Sequence, residues 1–264
     1  MNSYRATCFV LQQPFVKRTF ARSVTAEEIQ LGMGSTHVAL EVEQKFALEN
    51  EPNVEARLME LGFSKKREVD MVDWYFDLPE PVLTPKDNWL RFRETDKESS
   101  WQLKRGRHHQ GGGTVYEELE GEEAIEASLS MLKDIDPGTA IPVEYEGHAV
   151  PELPRPTGLV PFARIETHRS SWTYTGESDS YKALSVDLDK TQYGYMVGEV
   201  EVVVNDDSEI PVARECISSL LQKLAPEQGA PLQVPVGKLE HFMIQYRPDH
   251  YKACVDGGSI AKEA

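Results

Sequence analysis

The sequence predicts an α+β chain whose sheet of about eight strands closes or nearly closes, with a few helices packed outside it. Three observations carry this reading. Apolar and polar residues alternate with period two through many segments. In several of those segments the polar positions hold charged residues, strand after strand. The helical stretches between them are short and amphipathic, as suits packing on the outside of a sheet. No internal repeat of fixed period is evident.

Residues 38–48 open the fold. Val38, Leu40, Val42, Phe46 and Leu48 fall on one face of a strand, and Glu41, Glu43 and Lys45 on the other. Residues 53–61 carry Val54, Leu58 and Leu61 at helical spacing, with Gly62 as the stop. Residues 69–78, aromatic and β-branched, read as a strand ended by Pro79. In residues 89–93, Leu90 and Phe92 share one face while Trp89, Arg91 and Arg93 share the other. Residues 101–104 set Gln102 and Lys104 opposite Trp101 and Leu103. The short polar loop between makes these two strands an expected antiparallel hairpin.

Residues 106–113 form a loop rich in Gly and His. Its adjacent His108 and His109 can be read as metal ligands or as part of a solvated loop. A strand over 115–120 places Tyr116, Glu118 and Glu120 on one side, and 122–132 is helical by composition and phase. Residues 136–161, rich in Pro and Gly, read as a long connection. In the second half, the 162–174 strand contains Arg169 and Trp172. Residues 183–189 alternate Leu184, Val186 and Leu188 against Ser185, Asp187 and Asp189. After a turn at 192–194, residues 195–204 set Val200, Val202 and Val204 against Glu199 and Glu201. An amphipathic helix begun near Pro211 covers 210–224, and a short final helix over 238–246 carries Lys238 at its start.

Composition excludes several classes. A net charge of −16 lacks the basic footprint of a general nucleic-acid binder. Nothing approaches an uninterrupted apolar run of ~18 residues, so no membrane span is expected. Cys8, Cys216 and Cys254, odd in number and far apart, fit neither a disulfide framework nor a zinc module, and point to a reducing compartment. The first residues hold Arg5, Lys17, Arg18 and Arg22 and no acid before Glu27. They read as a mitochondrial presequence or as an alternative start upstream of Met33. A monomer is expected, because no long exposed apolar stripe is left over.

A solvated strand face explains any one charged row. Six strands with the same habit are harder to explain that way, because outward faces usually mix in Thr, Ser and Gln. If the rows converge, desolvation forbids leaving either sign unpaired. Salt bridges alone could satisfy them, and so could a highly charged ligand. Arg and Lys clusters suit phosphate oxygens, and surplus carboxylates suit a divalent cation such as magnesium. Gly111–Gly113 lacks the Lys-Ser/Thr of a phosphate-cradling glycine loop, so this chemistry would fall to side chains of the sheet.

At Glu41-x-Glu43-x-Lys45 the chain resembles the CYTH, or triphosphate tunnel metalloenzyme, family, whose first strand carries E-x-E-x-K. Trp89-Leu90-Arg91-Phe92-Arg93-Glu94, Trp101-Gln102-Leu103-Lys104, Tyr116-Glu117-Glu118-Leu119, Arg169-Ser170-Ser171-Trp172, Val186-Asp187-Leu188-Asp189 and Val197-Gly198-Glu199-Val200-Glu201 follow in the family's order. The run Tyr193-Gly194-Tyr195-x-Val197-Gly198-Glu199-Val200-Glu201 and Gln245-Tyr246-Arg247-Pro248 make the likeness greatest to its animal thiamine triphosphatase branch.

The resemblance implies an eight-stranded antiparallel closed barrel, a tunnel with helices outside, that hydrolyses thiamine triphosphate to thiamine diphosphate and phosphate with Mg²⁺. It implies Glu41, Glu43, Glu118, Asp187, Glu199 and Glu201 as metal ligands. It assigns Lys45, Arg91, Arg93, Lys104, Arg169 and Lys238 to the triphosphate, Arg93 and Lys104 as catalytic, and Trp89 to the thiamine ring. A tripolyphosphatase, nucleoside triphosphatase or adenylate cyclase of the same fold, or a non-catalytic polyphosphate-binding module, are the alternatives. The expected division is an N-terminal extension at 1–36, the tunnel domain at 37–252 and a flexible tail at 253–264. The expected location is the cytoplasm, or the mitochondrion if 1–36 is a presequence.

Overall fold

A computed structural model describes residues 39–107, 114–134, 144–153, 158–177, 181–224 and 234–261. The N-terminal extension, His108 and His109, and the last three residues lie outside the described residues. Eight antiparallel strands close a barrel: β1 (Leu40–Ala47), β2 (Phe63–Asp77), β3 (Asn88–Thr95), β4 (Ser99–Gly106), β5 (Thr114–Glu120), β8 (Val160–Tyr174), β9 (Ser185–Thr191) and β10 (Met196–Val204). Around the barrel they run β1-β10-β9-β8-β2-β3-β4-β5, and β5 pairs back onto β1. A two-residue pair, β6 (Glu144–Tyr145) and β7 (His148–Ala149), forms a separate hairpin. Its turn residues Glu146 and Gly147 both have positive φ.

Closure sorts every strand into an inward and an outward row. The outward rows make the apolar core, which lies between barrel and helices. Val42 and Phe46 of β1, with Val200, Val202 and Val204 of β10, are buried under α3 (Ile210–Leu224), which presents Ile217, Leu220 and Leu221. Phe46 stands opposite Gly198 in the β1–β10 register, and a Cβ on Gly198 would lie 2.1 Å from its ring. Only glycine therefore lets the phenyl ring cross that strand. On the far side, Leu90, Trp101 and Leu103 pack with Ala124 and Ile125 of α2 (Gly121–Met131). α1 (Glu51–Glu60) begins at Asn50, whose side chain accepts from the Asn53 amide at 3.1 Å, and ends against Gly62 at φ 91°.

Two elements run longer than the sequence predicts. β2 starts at Phe63 rather than near residue 69. Residues 64–68 are charged or hydroxylic and exposed, so hydrophobic periodicity is silent there, and pairing with β8 defines the strand. Within the stretch expected as a tail, the described residues 253–261 join the fold. A fifth helix, α5 (Pro248–Gly257), follows α4 (Lys238–Tyr246) and buries Cys254, and Ile260 packs beyond it against the same cluster. The small polar residues of that stretch hide how few apolar anchors such a helix needs. No helix among the described residues is long and apolar enough to cross a membrane.

α5 is tied down by a buried polar cluster. Asp77 accepts backbone N–H bonds from Leu78, Val82, Leu83 and Thr84, and the Thr84 hydroxyl donates to it at 2.7 Å. With its proton committed to Asp77, Thr84 Oγ1 accepts from His250 Nε2, 2.7 Å away. The imidazole stacks on Phe162 with ring centres 3.9 Å apart. Burial, only partly offset by Asp77, pulls the His250 pKa down to about 4, so the ring is neutral at physiological pH.

Candidate active site

The inward rows converge on one cavity of about 810 Å³ that runs along the barrel axis. All thirteen side chains singled out from the sequence line it: Glu41, Glu43, Lys45, Trp89, Arg91, Arg93, Lys104, Glu118, Arg169, Asp187, Glu199, Glu201 and Lys238. Twelve arrive on barrel strands, and Lys238 enters from the first residue of α4. Segment 234–240 and residues 259–261 border one mouth. Glu41, Glu201, Val203 and Arg67 lie toward the other, by the strand registers.

The charges interleave. Lys104 Nζ lies 2.9 Å from Glu41, 3.0 Å from Glu43 and 3.3 Å from Glu118. Lys45 bonds Glu199 at 2.7 Å and also pairs with Glu43. Arg169 spans Asp189 with two hydrogen bonds, at 2.6 and 2.7 Å, and pairs with Asp187. Lys238 reaches Asp189 at 2.8 Å. Arg91 donates to Gln102 Oε1 at 2.8 Å and lies 3.9 Å from Glu118.

These contacts decide which groups are charged. Burial alone would depress Lys45 and Lys104, but the carboxylates around them outweigh it and raise both well above the usual lysine range. Burial likewise pushes Glu43 up, yet Lys104 and Lys45 hold it well below the usual carboxylate range. Glu41 and Glu201 go the other way. Burial raises Glu41, and Glu43, Glu118 and Glu201 add to it beyond what Lys104 offsets. Burial with Asp187 and Glu199 raises Glu201. The cavity therefore holds more carboxylate than its bases neutralise at Glu41 and Glu201, while Lys45 and Lys104 stay charged.

Four lining or supporting residues escaped the sequence reading of the site. Asp73, fully buried on β2, holds Arg93 through bonds of 2.6 and 2.8 Å and lies 3.8 Å from Lys238. It sits amid aromatic residues, where a lone acid on the inward row was the available signal. Tyr75 shares that row, and Tyr116 lies beneath Lys104 with the ammonium 5.1 Å from the ring centre. Arg67 reaches the cavity just past a register shift between Lys65 and Arg67.

Trp89 is half-buried at the α4 side. Its Nε1–H donates to Asp87 Oδ1 at 2.7 Å, and Asp87 in turn occupies the space over Gly106, where a Cβ would lie 1.5 Å from its carboxylate. The ring orientation is thus fixed by a left-handed residue, φ 59°, and a glycine.

The family model for the CYTH domain matches residues 39–230. A human protein named thiamine-triphosphatase is 35% identical over 225 residues, covering 83% of this chain and 91% of its own. The protein of that name from Macaca fascicularis is 35% identical over 230 residues, with the same coverage. A solved Pyrococcus horikoshii protein shares the fold with TM-score 0.50 at 18% identity, covering 78% of this chain and 99% of its own.

Proposed function

This chain belongs to the CYTH family, and from that premise we propose that it hydrolyses thiamine triphosphate to thiamine diphosphate and phosphate inside the barrel. The observation that carries the reading is the convergence of six charged bases, Lys45, Arg91, Arg93, Lys104, Arg169 and Lys238, on one cavity beside Trp89. Phosphoryl transfer asks a protein mainly for positioning and for charge stabilisation at the phosphate oxygens. Arginine forks and lysine ammonium groups held in a desolvated channel supply both. In this reading Arg93 and Lys104, both lining the cavity, neutralise the charge of the transferring phosphoryl group. Trp89 offers the cationic thiazolium ring an aromatic face. That preference favours thiamine triphosphate over inorganic tripolyphosphate.

The acids suit a hard divalent cation. Among the described residues no three carboxylates already converge as a closed metal set, since they turn to lysine and arginine partners. Burial and neighbouring carboxylates raise Glu41 and Glu201, and a cation shared between a few carboxylates and phosphate oxygens would relieve that crowding of negative charge, which supports the metal reading. Glu41, Glu43, Glu118, Asp187, Glu199 and Glu201 would hold Mg²⁺. Bound there, the ion supplies Lewis-acidic charge to the phosphoryl oxygens. Phosphate release from thiamine triphosphate by purified protein tests the reading, and binding without release would favour a non-catalytic module.

A further inference from the structure

Lys238 differs from every other base in the cavity because no barrel strand carries it. It stands at the start of α4, behind residues 234–237, which form no helix or strand, and the preceding Gly237 offers no side-chain cap. Its place over the barrel is nevertheless set by the β9–β10 turn. The Tyr195 hydroxyl donates to the Val236 carbonyl at 2.6 Å, and the Tyr193 hydroxyl donates to the Lys238 carbonyl at 2.5 Å. One turn along α4, the His241 ring stacks on Tyr195 with centres 4.0 Å apart and planes 13° apart. The Tyr193 ring lies parallel to it as well, at 5.7 Å and 5°.

The turn that presents the tyrosines is itself pinned. Thr191 Oγ1 donates to the Tyr195 carbonyl and accepts from the Tyr195 amide, both at 3.0 Å, and Gly194 takes φ 85°. Between the two anchored carbonyls, Gly237 packs so closely on Lys45 that a Cβ there would lie 3.1 Å from Lys45 Cε. One short stretch of backbone therefore both carries Lys238 and packs on the Lys45 stem, and two phenol hydroxyls hold it.

We propose that Tyr193 and Tyr195 are positioning residues: they lock the backbone at 236–238 so that Lys238 is pre-set in the cavity, and act on the triphosphate only through it. This rests on the reading above that Lys238 grips the triphosphate. A lysine head on a long stem loses much rotamer freedom when held, so fixing its backbone in advance lowers the cost of binding.

The test pairs Tyr193→Phe and Tyr195→Phe, which keep the rings and remove only the hydroxyls, with Lys238→Met. Each Phe variant is expected to lower kcat/KM about three- to tenfold while lowering Tm by no more than about 2–4 °C. In the Lys238→Met background the same changes should cost less than about twofold. Equal losses in both backgrounds, or full kcat/KM in the double Phe variant, would overturn the proposal. Amide hydrogen exchange supplies a readout free of activity. The double Phe variant should exchange faster over residues 238–246 with the barrel strands unchanged, and unchanged exchange there would count against the proposal. If the wild-type protein hydrolyses no triphosphate, the functional reading fails while the exchange result still decides whether the tyrosines hold α4.

Discussion

Asp73 and Arg93 face each other directly across the β2–β3 ladder and are joined by two hydrogen bonds, at 2.6 and 2.8 Å, with Asp73 fully buried. The pair gives Arg93 a structural role beside the phosphate-binding one proposed for it. Burial would raise the Asp73 pKa, but Arg93, Arg91 and Lys238 outweigh it and hold the carboxyl far below its ordinary range. Asp73 therefore contributes stability that is present above its unfolded pKa and drains away as pH falls toward the folded value. Asp73→Ala, which strands a buried guanidinium, should lower the unfolding free energy by about 3–5 kcal/mol in urea titrations at pH 7.

Because of that pair, Lys104→Ala is the cleaner probe of catalysis than Arg93→Ala, which would also orphan Asp73. Lys104 has three carboxylate neighbours, and one of them, Glu41, is already raised toward the neutral form. The folded state can absorb the loss by protonation, whereas turnover at saturating substrate should fall about 10²–10³-fold.

Glu41 and Glu201 should show the opposite balance of stability and activity. Each has a folded pKa raised by burial and neighbouring carboxylates, so the folded state binds more protons than the unfolded one between the unfolded and folded values. Stability thus falls as pH rises through that window. Glu201→Gln should therefore stabilise the metal-free protein at pH 7. The same variant should require more Mg²⁺ for half-maximal activity. Thermal melts and a metal titration check the two halves separately.

His250 sets a different pH dependence. Its folded pKa of about 4 lies below the ordinary histidine value, so the unfolded chain takes up the proton first and stability declines as pH falls from about 6.5 to about 4. His250→Asn should flatten that part of the stability profile, read from melting temperatures across pH, while leaving the acid loss attributed to Asp73 in place.

Gly198→Ala should destabilise the barrel, because its methyl group would enter the buried Phe46 ring. The cost expected for overpacking is about 1–3 kcal/mol, and Phe46→Leu in the same chain should recover part of it.

The rows of β1, β3, β4, β9 and β10 were legible in the sequence because a closed barrel repeats one physical rule on every strand: apolar out, charged in. That rule put Glu41 and Lys104, 63 residues apart, on one interior, and the register of the closed barrel then sets them 2.9 Å apart. It could not find Arg67, where residues 64–68 are polar on both faces and only pairing to β8 defines the strand. Nor could it find α5, held by Thr84 and His250, residues 166 apart, through a hydroxyl shared with Asp77. Such a contact leaves no periodic trace. Asp73 was readable in principle, as the inward acid opposite Arg93, but its role depended on a register that alternation does not supply.

The most direct test of the central claim is a comparison of kcat/KM for purified protein on thiamine triphosphate, inorganic tripolyphosphate and ATP with Mg²⁺ present. Phosphate release should be fastest from thiamine triphosphate, and Trp89→Ala should erode that preference more than it slows tripolyphosphate. A preference for tripolyphosphate or ATP in the wild-type protein, or no release from any of the three, would contradict the account.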